Sequence, residues 1–248
     1  MARKGGNANS RLLENDAQHF FLSRFGRQRT YSKMVPMMCH EPDEIDDLLN
    51  RAANGDRRAL NRLFDLYRSR LKKMVRLRLN RRLQGRVDDS DILQDAYLEA
   101  ARRLPDYLQD PRAPFFLWLR RITGDKLLEV HRTHLGTQIR DVNREISLHR
   151  GALPGANSVS LAEQLLGRLT SPSQAAIKAE MRLQLQGALN SLEPLDREVL
   201  SLRHFEQLTN IEAAQELGLE PSAASKRYIR ALARLQKILR VLQLVDEG

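Results

Sequence analysis

Apolar positions recur at helical spacing from about residue 41 onward. Leu60, Leu63, Phe64, Tyr67, Leu71, Met74 and Val75 share one face of a segment running from Arg57 to Asn80, the three-to-four-residue step of an amphipathic helix. A shorter helix from Ile45 to Ala53 precedes it, and Asn54-Gly55-Asp56 separates the two. Ile92, Leu93, Ala96, Tyr97 and Ala100 form a third apolar face. Acidic residues lead into it, where they suit the positive end of the helix dipole. Leu104 to Pro114 carries three prolines and reads as a loop. Pro114 then starts a fourth helix, Phe115 to about His134, with Phe115, Trp118, Leu119 and Ile122 spaced for burial. Further helices are expected over Ser173–Leu192 and Asp196–Phe205.

The pattern predicts an all-α chain of two small helical domains, 41–135 and 176–248. The linker between them, 136–175, contains Gly136, Gly151, Pro154, Gly155, Gly167 and Pro172, with a short helix at Leu161–Arg168. Residues 1–40 are basic, lack sustained periodicity and read as a disordered arm. Met34, Met37 and Met38 leave an internal start open.

The C-terminal domain carries the sharpest local signals. Thr209 can cap a helix, with Glu212 completing a capping box. Ala213 and Ala214 let another helix cross closely. Gly218 suits the left-handed conformation that ends helices. Leu219 and Glu220 make a turn, and Pro221 fits the first turn of the next helix. On that second helix Lys226, Arg230, Arg234 and Lys237 lie within about 80° of one another at 100° per residue. Arg227 and Arg240 flank them, and Tyr228, Ala231, Leu232, Leu235, Leu239 and Leu242 lie opposite. Six basic residues and no acidic one fall between Ser222 and Arg240. One face is built for a core and the other for a polyanion, the arrangement of a DNA-reading helix-turn-helix.

Charge agrees with this. The 248 residues carry 41 Lys and Arg against 31 Asp and Glu, net +10, which suggests a polyanionic partner. Residues 181–248 hold nine of each sign, so the basic helix is an oriented feature of a neutral domain. A second basic run, nine Lys/Arg and no acid from Arg68 to Arg86, reads as a DNA-backbone or single-strand contact. Cys39 is alone, so no disulfide framework or cysteine zinc site is expected, and a reducing cytoplasm suits the chain. No apolar run approaches a membrane span. No phosphate-loop, zinc-protease or EF-hand pattern occurs, so neither metal nor other cofactor is expected.

A family resemblance offers a promoter-directing subunit; the residues by themselves leave a regulator with an effector domain ahead of its helix-turn-helix and a nuclease holding Mg²⁺ on Asp88, Asp89, Asp91 and Asp95. The last lacks any partner metal motif. Residues 187–242 resemble the fourth conserved region of bacterial sigma factors of the extracytoplasmic-function (ECF) group. The resemblance rests on Leu192, Asp196 to Leu200, Leu202-Arg203, Leu208-Thr209, Glu212 to Ala214, Leu217-Gly218 and Arg227 to Leu232, with Ala223-Ala224-Ser225-Lys226-Arg227 replacing the family's more usual Thr-Val-Lys-Ser-Arg. Asp91-x-x-Gln94-Asp95-x-Tyr97 resembles the region-two signature, and Trp118-Leu119-x-x-Ile122 the helix after it. A regulator would explain only the C-terminal segment.

The resemblance implies a non-enzymatic sigma factor that binds core RNA polymerase and promoter DNA, with an anti-sigma factor as a further partner. It implies that Asp91, Gln94 and Asp95 dock on the β′ clamp helices, while the C-terminal domain meets the β flap. Ser222, Ala223, Lys226, Arg227, Arg230 and Arg234 are then expected at the −35 element. Arg120, Arg121, Lys126 and Arg132 are expected at the −10 element. Asp125 stands where relatives usually have Asn, and its charge disfavours phosphate contact. Trp118 is expected in the core.

Overall fold

The computed structural model describes residues 42–135, 155–169 and 175–241, and every regular element in them is helical. The expected basic arm, residues 136–154 and 170–174 of the expected linker, and residues 242–248 with Leu242 lie outside the described residues. The elements are α1 (Pro42–Ala53), α2 (Arg57–Arg78), α3 (Asp89–Gln109), α4 (Phe115–Leu135), α5 (Ser158–Leu169), α6 (Ala175–Asn190), α7 (Pro194–Leu200), α8 (Asn210–Leu217) and α9 (Pro221–Val241). A π-helical turn, Ser201–Phe205, extends α7.

Local chemistry sets the boundaries. Asp56 caps α2 by accepting from the Arg58 and Ala59 amides, and Asp88 caps α3 through the Ser90 amide. The N-terminal helices pack around Leu63, Leu71, Met74, Ile92, Leu93, Leu119 and Leu127, all almost fully buried. An aromatic cluster closes one end. Tyr67 stacks on Phe116 at 5.2 Å, and Tyr107 on Trp118 at 4.6 Å, which puts Trp118 against the core as expected.

One feature departs from the periodicity reading. The helix α3 runs through Pro105 to Gln109, where a loop was expected. Proline inside a helix costs about 3 kcal/mol. The turn survives because Leu104 before it and Tyr107 beyond it are buried and the Tyr107 hydroxyl donates to the Ala113 carbonyl at 3.0 Å. The two helical halves pack on one another, and their buried residues form one continuous cluster. The helix α5 packs on both α2 and α6, and α2 also meets the π-helical turn. At the α2 end, the Leu77 carbonyl accepts from the Asn157 amide at 2.8 Å. A carbonyl in the last turn of a helix has no intrahelical donor, so the linker satisfies it.

Candidate nucleic-acid interface

The helix-turn-helix forms as its sequence requires. Thr209 accepts from the Glu212 amide, and the Glu212 carboxylate accepts from the Thr209 amide at 2.7 Å. Gly218 closes α8 at φ 54°, a left-handed conformation that strains any residue with a β-carbon. Ala213, Ala214 and Leu217 of α8 are buried, as are Ala224, Tyr228, Ala231, Leu232, Leu235 and Leu239 of α9. The opposite side of α9 presents Ser222, Lys226, Arg230, Arg234, Lys237 and Arg240 to solvent, with Ala223 half-buried beside them. Lys226, Arg230 and Lys237 make no ion pair with any described residue.

Two of the six cations are held differently. Arg227 donates to Asp196 Oδ1 at 2.9 Å and to Glu193 at 3.3 Å. Arg234 donates to Asp196 Oδ2 at 3.3 Å. Asp196 itself is buried at the start of α7. Its hydrogen bond is the main reason the Arg227 pKa is raised above the ordinary guanidinium value.

The acidic face of α3 is also built as predicted. Asp91, Gln94, Asp95 and Leu98 are exposed on one side, while Ile92, Leu93, Ala96 and Ala100 face the core. Leu98 is one of the few large apolar side chains left in water among the described residues, 59% exposed. Asp88 is occupied as a cap, and Asp89 pairs with Lys72 at 3.2 Å and with Arg76. The four carboxylates therefore do not converge on one point.

On α4 the expected −10 residues separate into two groups. Arg121 and Arg132 are exposed, and Lys126 is half-buried with Glu129 3.0 Å away. Lys126 and Arg132 line an open cleft of about 420 Å³ with Arg103, Glu99, Asp125 and Glu129. Arg120 is on the other side. It is buried, donating through Nε to Glu206 Oε2 at 3.0 Å and through Nη1 to Glu216. The expectation that Arg120 faces DNA is therefore corrected for this conformation. At 100° per residue it falls within about 40° of both Phe116 and Leu127, on the packed face.

Arg120 belongs to an ionic cluster that joins the two halves. Arg78 donates to both Glu198 and Glu206 and is fully buried. Glu198 also accepts from the Ala156 amide at 3.0 Å, tying in the linker. Arg70 stacks on Phe116 at 3.6 Å and donates to the Gln207 carbonyl at 3.2 Å. Gln207 has φ 61°, a conformation that costs of order 1 kcal/mol for a non-glycine residue. Burial pushes the Glu206 pKa up, but Arg78 and Arg120 outweigh it and hold the carboxyl below its ordinary value. The run from Arg68 to Arg86 is thus divided: Arg70 and Arg78 turn inward, while Arg68, Arg81, Arg82 and Arg86 stay exposed. The signal for this was available, because residues 67, 70, 71, 74 and 78 share one helical face.

The family description "ECF sigma factor" matches residues 42–242. The chain belongs to the ECF sigma factor family. It is a promoter-recognition factor of transcription initiation. The chain is 26% identical over 204 residues to the ECF RNA polymerase sigma factor SigD of Mycobacterium tuberculosis, covering 82% of this chain and 88% of that one. It is 29% identical over 204 residues to the RNA polymerase sigma factor CnrH of Cupriavidus metallidurans, covering 80% and 96%. Among solved structures, CnrH in complex with the cytosolic domain of CnrY is similar with a TM-score of 0.48 and 24% identity, covering 80% of this chain and 98% of that one. No described helix of this sigma factor is long and apolar enough to cross a membrane.

Proposed function

We propose that this sigma factor docks on core RNA polymerase through the Asp91, Gln94, Asp95 and Leu98 face of α3 and reads the −35 duplex with α9. The observation that carries the reading is the solvent face of α9, where Ser222, Lys226 and Arg230 stand exposed beside the half-buried Ala223, on a helix whose other face is core. Side chains near the N-terminal end of such a helix reach base edges, and cations further along meet phosphates. Arg227 and Arg234 flank that face and are tied to Asp196. On α4, Arg121, Lys126 and Arg132 hold −10 DNA. The α3 face, one exposed leucine among three polar side chains, suits a protein partner, since Leu98 is stabilised by leaving water and the carboxylates choose a basic surface. The C-terminal domain meets the β flap, and an anti-sigma partner is proposed on family membership alone. The factor acts by binding, without chemistry of its own, in the cytoplasm.

The packed arrangement constrains how it does so. Arg120 of α4 and Glu216 of α8 are in direct contact, so the two DNA-reading elements are neighbours. The −35 and −10 elements lie about 25 base pairs apart, roughly 85 Å of duplex at ~3.4 Å per base pair. A compact body of this size has a radius of gyration of only about 16 Å. The two halves therefore separate when both elements are engaged, and Arg120 joins the DNA-facing set only then.

The test is co-purification with core RNA polymerase and transcription from genomic DNA, using the wild type and an Asp91→Ala/Asp95→Ala variant. The reading expects holoenzyme and discrete start sites for the wild type only. A protein that binds specific duplex but never core enzyme would be a conventional regulator instead.

A further inference from the structure

We infer that Asp196 is a specificity-determining positioning residue, which withdraws Arg227 and Arg234 from the phosphate-binding face of α9 so that sequence-blind attraction to DNA is held down. The inference rests on the reading of α9 as the duplex-reading helix. It starts from an imbalance. Six cations occupy α9, yet the side chains that could read base edges are few. Each unpaired cation on such a helix strengthens binding to every sequence alike.

The geometry around Asp196 removes two of the six. Its Oδ1 accepts from Arg227 at 2.9 Å and its Oδ2 from Arg234 at 3.3 Å, while Glu193 adds a second acceptor for Arg227 at 3.3 Å. The four groups sum to zero charge. Asp196 is only 1% exposed, so water cannot replace the arginines. Handing one arginine to a phosphate would leave the buried carboxylate with a single partner and handing over both would strand it, a penalty that exceeds what a surface phosphate pairing contributes. The pairs therefore persist as DNA approaches. Arg227 and Arg234 lie seven residues apart, two turns of α9, and both close on one carboxylate of α7. The same hydrogen bonds fix the rotation of α9 about its axis and hence which side chains face the groove. Lys226, Arg230 and Lys237, without ion-pair partners among the described residues, are left as cations that respond to DNA.

The experiment measures holoenzyme binding across a salt series, on a promoter fragment taken from the wild type's own start sites and on a scrambled duplex of equal length. Asp196→Asn keeps the shape and can still accept one hydrogen bond, but frees the arginines. Its binding to scrambled DNA should tighten by about tenfold at low salt, and its slope of log affinity against log salt should steepen by about one to two. Loss of the fixed rotation of α9 should cost base contacts and keep promoter affinity from rising with it, so the ratio of promoter to scrambled affinity should fall by about tenfold. Adding Arg227→Gln and Arg234→Gln to that variant should return the slope to the wild-type value. A merely structural Asp196 would weaken binding without steepening the slope, and that result overturns the inference. Arg234→Gln alone, which leaves Asp196 its Arg227 partner, covers the case in which Asp196→Asn does not fold. It should leave the slope unchanged, and a slope shallower by about one would mark Arg234 as a phosphate contact and overturn the inference. Wild-type holoenzyme without start sites would instead bring down the reading of α9 itself.

Discussion

The Arg120 guanidinium donates through Nε to Glu206 Oε2 at 3.0 Å, across 86 positions of sequence and from one half of the molecule to the other. Glu206 also accepts from Arg78, and both arginines and the glutamate are buried. Burying such a group costs solvation that the mutual attraction only roughly repays. Parting the halves returns every member to water, so the contact can hold the closed form without locking it.

Removing one member while the halves stay together is a different matter. Glu206→Gln leaves Arg78 and Arg120 short of a counter-charge, and breaking a buried pair in this way costs about 3–5 kcal/mol. The variant should expand, with a larger radius of gyration by small-angle scattering and a lower or split melting transition. An unchanged radius together with an unchanged transition would show that Glu206 does not hold the halves.

Acidification should act on two buried groups in the same direction. Burial lowers the His131 pKa, and its Nε2 accepts from the Asn80 amide at 3.2 Å. Stability is whole above the ordinary histidine value of about 6.5 and declines as pH falls toward the lowered one, because only the unfolded chain takes up the proton there. The lowered carboxyl of Glu206 adds a later loss, below the ordinary glutamate value of about 4.3, as pH falls through its folded pKa. Urea midpoints across this range should show the first decline in the wild type and not in His131→Gln. If both proteins decline alike near neutrality, His131 is not its source.

Leu98 is 59% exposed on the acidic face of α3. Leu98→Asp should change folding stability by no more than about 0.5 kcal/mol, since surface substitutions away from special features rarely do more. It should nonetheless reduce capture by core RNA polymerase in a pull-down. Undiminished capture would remove Leu98 from the proposed face.

Arg230 is exposed on α9 and unpaired among the described residues. Arg230→Ala should weaken holoenzyme binding to promoter and scrambled duplex alike and make the salt slope shallower by about one. Equal slopes would deny it a phosphate.

The capping box of α8 joins the Thr209 hydroxyl to the Glu212 amide at 3.2 Å. Thr209→Ala should cost about 1 kcal/mol and lower the melting temperature by a few degrees, while Thr209→Ser should recover most of the loss. Calorimetry of the three proteins decides it. Equal melting temperatures would mean that the box contributes nothing to the fold.

Local rules and short-range periodicity determined much of this protein. The Asp56 break, the Thr209 cap, the Gly218 stop and the division of α9 into apolar and basic faces all follow from neighbouring residues, because caps and helical faces depend on side chains within a turn or two. The exposed Asp91, Gln94 and Asp95 were legible for the same reason. Tertiary structure alone decided which charges are free. Arg78 and Arg120 sit on packed faces that periodicity could mark, but their partners Glu198, Glu206 and Glu216 come from 86 to 128 residues away. The same holds for Asp196, which claims Arg227 and Arg234 from more than 30 positions off, and for Pro105, carried inside α3 by the burial of Leu104 and Tyr107. A charge reads identically in sequence whether it meets water, DNA or a buried carboxylate. Only the folded chain sets the distances and the loss of solvent that tell those fates apart.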